Sequence, residues 1–216
     1  MKILSRLLDL LYPPRCPFCR RLLFDSDALL CRDCRRRWVE QNPAGFRREI
    51  AHTKCVLAPL AYEGQIRESL HRYKFGGVTT YARTYAEILG KCIDENQISC
   101  DIITWVPLSR KRLRRRGYDQ ARLIAEELAR VLQTECRPLL RKTVHTKPQS
   151  RTGDAAKRKA NAAGVYCCPY AEAVRGKRIL LVDDIVTTGA TLSECARVLK
   201  AAGAAEIVGA AVATRN

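Results

Sequence analysis

Acidic side chains are scarce in this sequence: 22 Asp and Glu stand against 39 Lys and Arg, leaving +17 over 216 residues. Such a surplus predicts anionic partners, whether nucleic acid, phosphorylated metabolites or acidic lipid. Long apolar runs are missing too. No window approaches the roughly 18 uncharged apolar residues of a spanning helix. Arg6 and Asp9 interrupt the N-terminal leucines Leu4, Leu7, Leu8 and Leu11, so neither an export signal nor membrane insertion is expected. The reading is a soluble, cytoplasmic protein, with those leucines on a short amphipathic helix against the body. Aromatic residues make up only 6%, few for a base-stacking surface. His52, His71 and His145 are isolated, and no Ser-His-Asp or Cys-His arrangement is legible. No Gly-Lys pair is followed by Ser or Thr, since Cys92 and Arg178 occupy those places, which removes a Walker A nucleotide loop.

What is present is the composition of a globular chain, 47% hydrophobic and 28% charged, long enough for one or two domains. The basic surplus is unevenly placed. Residues 106–120 hold six basic and one acidic side chain and residues 137–159 hold eight and one, while the first 58 residues add a surplus of six. Eleven cysteines without an export signal argue against a disulfide framework. Four of them fall as Cys16-x-x-Cys19 and Cys31-x-x-Cys34, and two residues between thiolates let one short knuckle present both sulfurs to a tetrahedral ion. Two knuckles make a closed structural zinc site. A thioredoxin-like redox site would use one pair beside a βαβ unit, and neither pair follows a strand-like run. The other seven cysteines, in apolar contexts, read as small core residues.

A boundary is expected near residue 58, dividing a 1–58 zinc-ribbon domain from a 59–216 α/β domain. Strand patterns at 54–62, 102–106, 165–168, 178–182 and 207–212 alternate with helical patterns at 63–73, 81–96, 120–132 and 192–202. That alternation predicts a parallel sheet with helices on its faces. The most informative stretch runs from Ile179 to Thr191. Four apolar residues form a buried strand, Asp183 and Asp184 arrive at its carboxyl end, and Thr187, Thr188, Gly189, Ala190 and Thr191 then feed a helix. Ligands of open α/β sheets bind at that end of the strands. A loop of small residues lets backbone N–H groups and hydroxyls surround a phosphate, whereas the acidic pair would repel one and suits sugar hydroxyls. A phosphorylated sugar satisfies both.

These thirteen residues resemble, without a gap, the phosphoribosyl pyrophosphate (PRPP) signature of type I phosphoribosyltransferases. The resemblance extends to the ComF family, competence-associated proteins that join a zinc ribbon to a phosphoribosyltransferase domain. Matching pieces are Tyr62-x-Gly64-x-Ile66-Arg67, Lys74-Phe75-Gly76, Val106 to Ser109, Arg116 to Gln120, and Arg141, Lys147, Gln149, Arg158 and Asn161. Asp119 departs from the Asn common in the family, and residues 150–153 replace a position that is often apolar. The resemblance implies a type I phosphoribosyltransferase-like fold. It further implies a pyrophosphate loop containing Leu108, Ser109, Arg116 and Gly117, and a second basic loop, with Arg141 and Lys147, that closes over the leaving group. Asp183 and Asp184 would hold ribose, Thr187 to Thr191 the 5-phosphate, and Mg2+ with clustered cations would stabilise departing pyrophosphate. The activity so implied is transfer of a phosphoribosyl group to a nucleobase-like acceptor. The family also implies a non-catalytic alternative, a DNA-uptake adaptor whose ribbon binds a competence helicase or single-stranded DNA.

Overall fold

The computed structural model describes residues 14–25, 28–143 and 165–215. The expected N-terminal leucine helix lies outside them, as do His145, Lys147, Gln149, Arg158 and Asn161 of the second basic segment. The described elements are helix α1 (Arg32–Arg35), continued by a π-helical turn at Arg36–Glu40, then β1 (Phe46–Arg48), β2 (Cys55–Ala58) and β3 (Leu60–Ala61). They continue as α2 (Gly64–Phe75), α3 (Tyr81–Glu95), β4 (Ile102–Trp105), α4 (Arg110–Arg116), α5 (Gln120–Val131) and β5 (Glu135–Cys136). The rest are β6 (Arg141–Lys142), β7 (Tyr166–Cys167), α6 (Ala171–Val174), β8 (Arg178–Val186), α7 (Ala190–Ala201) and β9 (Glu206–Thr214).

The expected parallel sheet is present. Its order is β1-β2-β9-β8-β4-β5, with β3 also on β9, and every pairing is parallel except β1 with β2. A strand buried on both faces must be apolar throughout, and β9 is buried from Ile207 to Thr214. Side chains alternate between faces. Leu180, Val182, Val208, Ala210 and Val212 join one cluster, packed by the apolar stripes of α2, α3 and α5. Ile179, Leu181, Ile207 and Ala211 join the other, with Leu192, Cys195, Ala196 and Leu199 of α7. The N-terminal ribbon shares the first cluster, because Phe18, Leu23, Leu30 and Val39 pack in one core with Ile66, Leu70 and Ile88.

Three departures from the sequence pattern have physical causes. Strand β8 continues through the acidic pair to Val186 because β9 remains alongside, with Asp183 opposite Ala211 and Val186 opposite Thr214. Phe46–Arg48 and Cys55–Ala58 lie before the expected boundary at residue 58, yet both are strands of this sheet. Residues 110–116, expected as loop, form a helix with no buried residue. That helix is held at its ends: the Arg112 amide donates to Ser109 Oγ at 3.3 Å, and Gly117 takes the left-handed conformation, φ 81°, that closes the last turn.

Candidate functional site

The ribbon brings its four predicted thiols together. In the first knuckle the Cys16 amide donates to Arg21 O and the Arg20 amide to Cys16 O, both at 2.9 Å. In the second, Cys31 opens α1 and Cys34 lies on its inner face. All four sulfurs lie within 4.8 Å of one another, and Cys19 Sγ is 3.6 Å from Cys31 Sγ. A tetrahedral ion with bonds of about 2.3 Å needs sulfur separations of about 3.8 Å, so the donor set and its spacing fit zinc. Burial and the neighbouring Cys16 charge push the Cys34 thiol up, which a cation at the centre would reverse. Helix α2 ties the first knuckle to the body: Arg72 Nη2 donates to Pro17 O at 2.8 Å.

Two residues further along α2, Lys74 reaches the opposite side. Its Nζ lies 2.9 Å from Asp184 Oδ1, and both side chains are largely buried. Helix α2 is held there by Tyr73, whose hydroxyl donates to Gln120 O at 2.9 Å, and by Tyr118, whose hydroxyl donates to Tyr73 O. Asp184 N donates to Asp183 Oδ1 at 2.8 Å. Burial, with the Asp184 charge beside it, pushes the Asp183 carboxyl up to about 8.

The acidic pair opens on a cavity of about 170 Å³ lined also by Leu108, Arg112, Arg116, Asp119, Lys142, Tyr166 and Thr191. Four cations therefore meet three carboxylates in one small space. Arg116 Nη1 donates to Gln120 Oε1 at 2.6 Å, while its buried Nε has no acceptor among the described residues. Lys142 Nζ lies 3.1 Å from Tyr166 Oη, and burial, followed by the Arg112 charge, pulls its pKa down. Asp119 accepts from Leu108 N at 3.0 Å through one oxygen and from Arg122 N at 3.2 Å through the other. An Asn there has one acceptor oxygen for the same two donors, so the carboxylate suits both the turn and the cap.

Next to this cavity, a hollow of about 30 Å³ is lined by Thr187, Thr188, Gly189, Ala190, Thr191 and Asp183. Gly189 has φ 76°, and a Cβ there would come within 2.4 Å of Ile50 Cδ1. Gly189→Ala is accordingly expected to cost about 1–2 kcal/mol from backbone strain alone, lowering the melting temperature by several degrees. An unchanged melting temperature would contradict this loop conformation.

Of the predicted residues, Asp183, Asp184, Thr191, Leu108 and Arg116 meet around the larger cavity, and Thr187 to Ala190 line the adjoining hollow. Ser109 and Arg141 instead face a neighbouring cleft of about 1140 Å³ with Arg110, Lys111, Arg114 and Arg115. Gly117 closes α4 and lines neither. Lys147 lies outside the described residues. Sequence reasoning missed Arg112, Lys142 and Tyr166 as site residues, and it quoted Lys74 only within Lys74-Phe75-Gly76. The i, i+4 spacing of Arg112 and Arg116 was the one local signal available, since it places both on one face of a helix.

A phosphoribosyl transferase domain model matches residues 119–216 and a double zinc ribbon domain model matches residues 7–44. Fold and cysteine cluster thus define a phosphoribosyltransferase-like α/β domain carrying an N-terminal zinc ribbon. Competence protein ComFC of Bacillus subtilis is 29% identical over 89% of this chain and 74% of its own length. Competence protein F of Haemophilus influenzae is 31% identical over 64% of this chain and 63% of its own. With these relatives and this pair of domains in this order, the chain is a ComF family protein. A solved structure of glutamine PRPP amidotransferase from B. subtilis, complexed with ADP and GMP, aligns over 62% of this chain and 26% of its own at 21% identity, TM-score 0.45. No helix among the described residues is long and apolar enough to cross a membrane.

Proposed function

We propose that the protein binds PRPP at the carboxyl end of β8 and transfers its phosphoribosyl group to a nucleobase-like acceptor. The observation that carries this reading is the adjacency of three parts. An acidic pair sits between a small-residue loop and a cluster of four cations, the order in which 5-phosphate, ribose hydroxyls and pyrophosphate are set along one sugar. Asp183 and Asp184 accept from the ribose hydroxyls, and Thr187 to Thr191 enclose the 5-phosphate with backbone N–H groups. Lys74, Arg112, Arg116 and Lys142 draw charge from the departing pyrophosphate as the anomeric bond lengthens. Lys74 also pairs with Asp184 at 2.9 Å, which holds that carboxylate in place at the edge of the cavity. The hard oxygen donors Asp119, Asp183 and Asp184 suit Mg2+, which when bound with a diphosphate neutralises the leaving group. Ser109, Arg141 and Gly117, which do not line this cavity, and Lys147 keep only the roles the family resemblance implies, Arg141 and Lys147 toward the leaving group.

The competence names of the relatives support reading this activity as linked to DNA uptake or utilisation. A second reading makes the ribbon an adaptor for a helicase partner or single-stranded DNA; it is favoured by Phe24, which is 98% exposed on a ribbon whose Arg20, Arg21, Arg32, Arg35 and Arg36 also face solvent. Incubating the protein with PRPP, Mg2+ and a panel of nucleobases tests the first reading. Pyrophosphate release with at least one base is the expected result, whereas PRPP binding without release from any base leaves a binding protein and overturns the transferase.

A further inference from the structure

The phosphate loop is held in place from 139 residues away in sequence. Arg48, at the end of edge strand β1, directs Nη1 at Thr187 O at 2.5 Å, at Thr214 Oγ1 at 3.2 Å and at Arg215 O at 3.4 Å. Its guanidinium therefore sits where β8 and β9 both end, a place fixed by the pairing of Val186 with Thr214 and by the Arg215 amide donating to Val186 O at 2.9 Å. Two residues on, the Ile50 side chain fills the space against Gly189. Ile50 is itself fixed by Thr53, whose hydroxyl donates to Ile50 O at 2.7 Å.

The consequence for the loop is stereochemical. No described peptide bond is cis, and in a trans peptide the C=O and the following N–H point in opposite directions. Drawing Thr187 O toward Arg48 turns the Thr188 N–H the other way. Without that bond, rotation of the 187–188 peptide would turn a carbonyl oxygen toward the place of an anion, replacing attraction with repulsion. Ile50 packs against the next residue and limits the same rotation.

We infer that Arg48 is a positioning residue for the sugar 5-phosphate, acting through the Thr187–Thr188 peptide and not by touching the ligand. The inference rests on reading residues 187–191 as the cradle of that phosphate. It assigns a task to edge strand β1 and the residues that follow it, which no motif in the sequence marks.

The test compares the full chain with Arg48→Ala and Arg48→Lys, titrating ribose 5-phosphate and, separately, inorganic pyrophosphate. Arg48→Ala is expected to weaken ribose 5-phosphate about 10-fold and to leave pyrophosphate unchanged, with Arg48→Lys intermediate because one donor can still reach Thr187 O. A mere loss of positive charge would weaken both anions, and that result would overturn the inference. Amide hydrogen exchange in the ligand-free protein supplies a second measurement: residues 188–191 should exchange faster in Arg48→Ala while α3 does not. Unchanged ribose 5-phosphate affinity, or unchanged exchange, overturns the inference and leaves the phosphate-loop reading standing. Failure of the unaltered chain to bind ribose 5-phosphate overturns that reading, and this inference with it.

Discussion

Replacing both site carboxylates, Asp183→Asn with Asp184→Asn, is expected to weaken PRPP binding by about 100-fold or more. Hydrogen bonds from sugar hydroxyls to charged acceptors contribute about 1.5–3 kcal/mol each, and two such bonds lost together correspond to that range. The variant should remain folded. Asn has nearly the shape of Asp, the Asp184 N–H bond to residue 183 can be kept through an amide oxygen, and the buried carboxyl of Asp183 already resists ionisation. A control is built into the chemistry. With negative charge removed beside Lys74, Arg112, Arg116 and Lys142, inorganic pyrophosphate should bind at least as well as before. Retained pyrophosphate with lost PRPP assigns the acidic pair to the sugar; equal loss of both would mean the cavity had collapsed and the assignment fails. DNA binding through the ribbon, if the second reading holds, would survive the double substitution.

The second large effect concerns the ribbon. One zinc per chain is expected, falling to none in Cys16→Ser with Cys31→Ser. Structural zinc contributes folding free energy directly, and here its loss should extend past the knuckles. Phe18, Leu23, Leu30 and Val39 belong to the core that α2 and α3 complete, and Arg72 spans from α2 to the Pro17 carbonyl. Several kcal/mol lost from a chain of this size lowers the melting temperature by about 10 °C or more. Metal analysis and thermal denaturation of the same preparations check both numbers. Metal-free native protein with an unaltered melting temperature would contradict a structural role.

Much of this was legible in the sequence where one residue type serves one physical need. The buried run Ile179 to Val182 is a central strand because only apolar side chains fit between two helical layers, and the two Cys-x-x-Cys pairs are readable because a tetrahedral ion fixes their spacing. The parts that were hidden depend on partners distant in the chain. Phe46–Arg48 is too short and too charged to show a period of two, and it becomes a strand only because Val56 to Ala58 lie beside it. Helix α4 has six basic side chains and no buried face, so the apolar periodicity that reveals other helices is missing. Lys74 stood only within a family-matching piece and Lys142 only within a basic stretch, since their meeting with Asp184 and Tyr166 is created by tertiary packing. Asp119 read as a departure from a family pattern; the two amides it serves, 11 residues and 3 residues away, give it a local reason.

The central claim is that one phosphorylated sugar occupies the loop, the acidic pair and the cationic cavity together. Calorimetric titration of the unaltered full chain with PRPP in the presence of Mg2+ tests it most directly, with ribose 5-phosphate and pyrophosphate as competitors. The account predicts saturable binding of one PRPP per chain, displaced by either competitor, because each occupies one part of the same site. Absence of PRPP binding, or binding that neither competitor displaces, would contradict it.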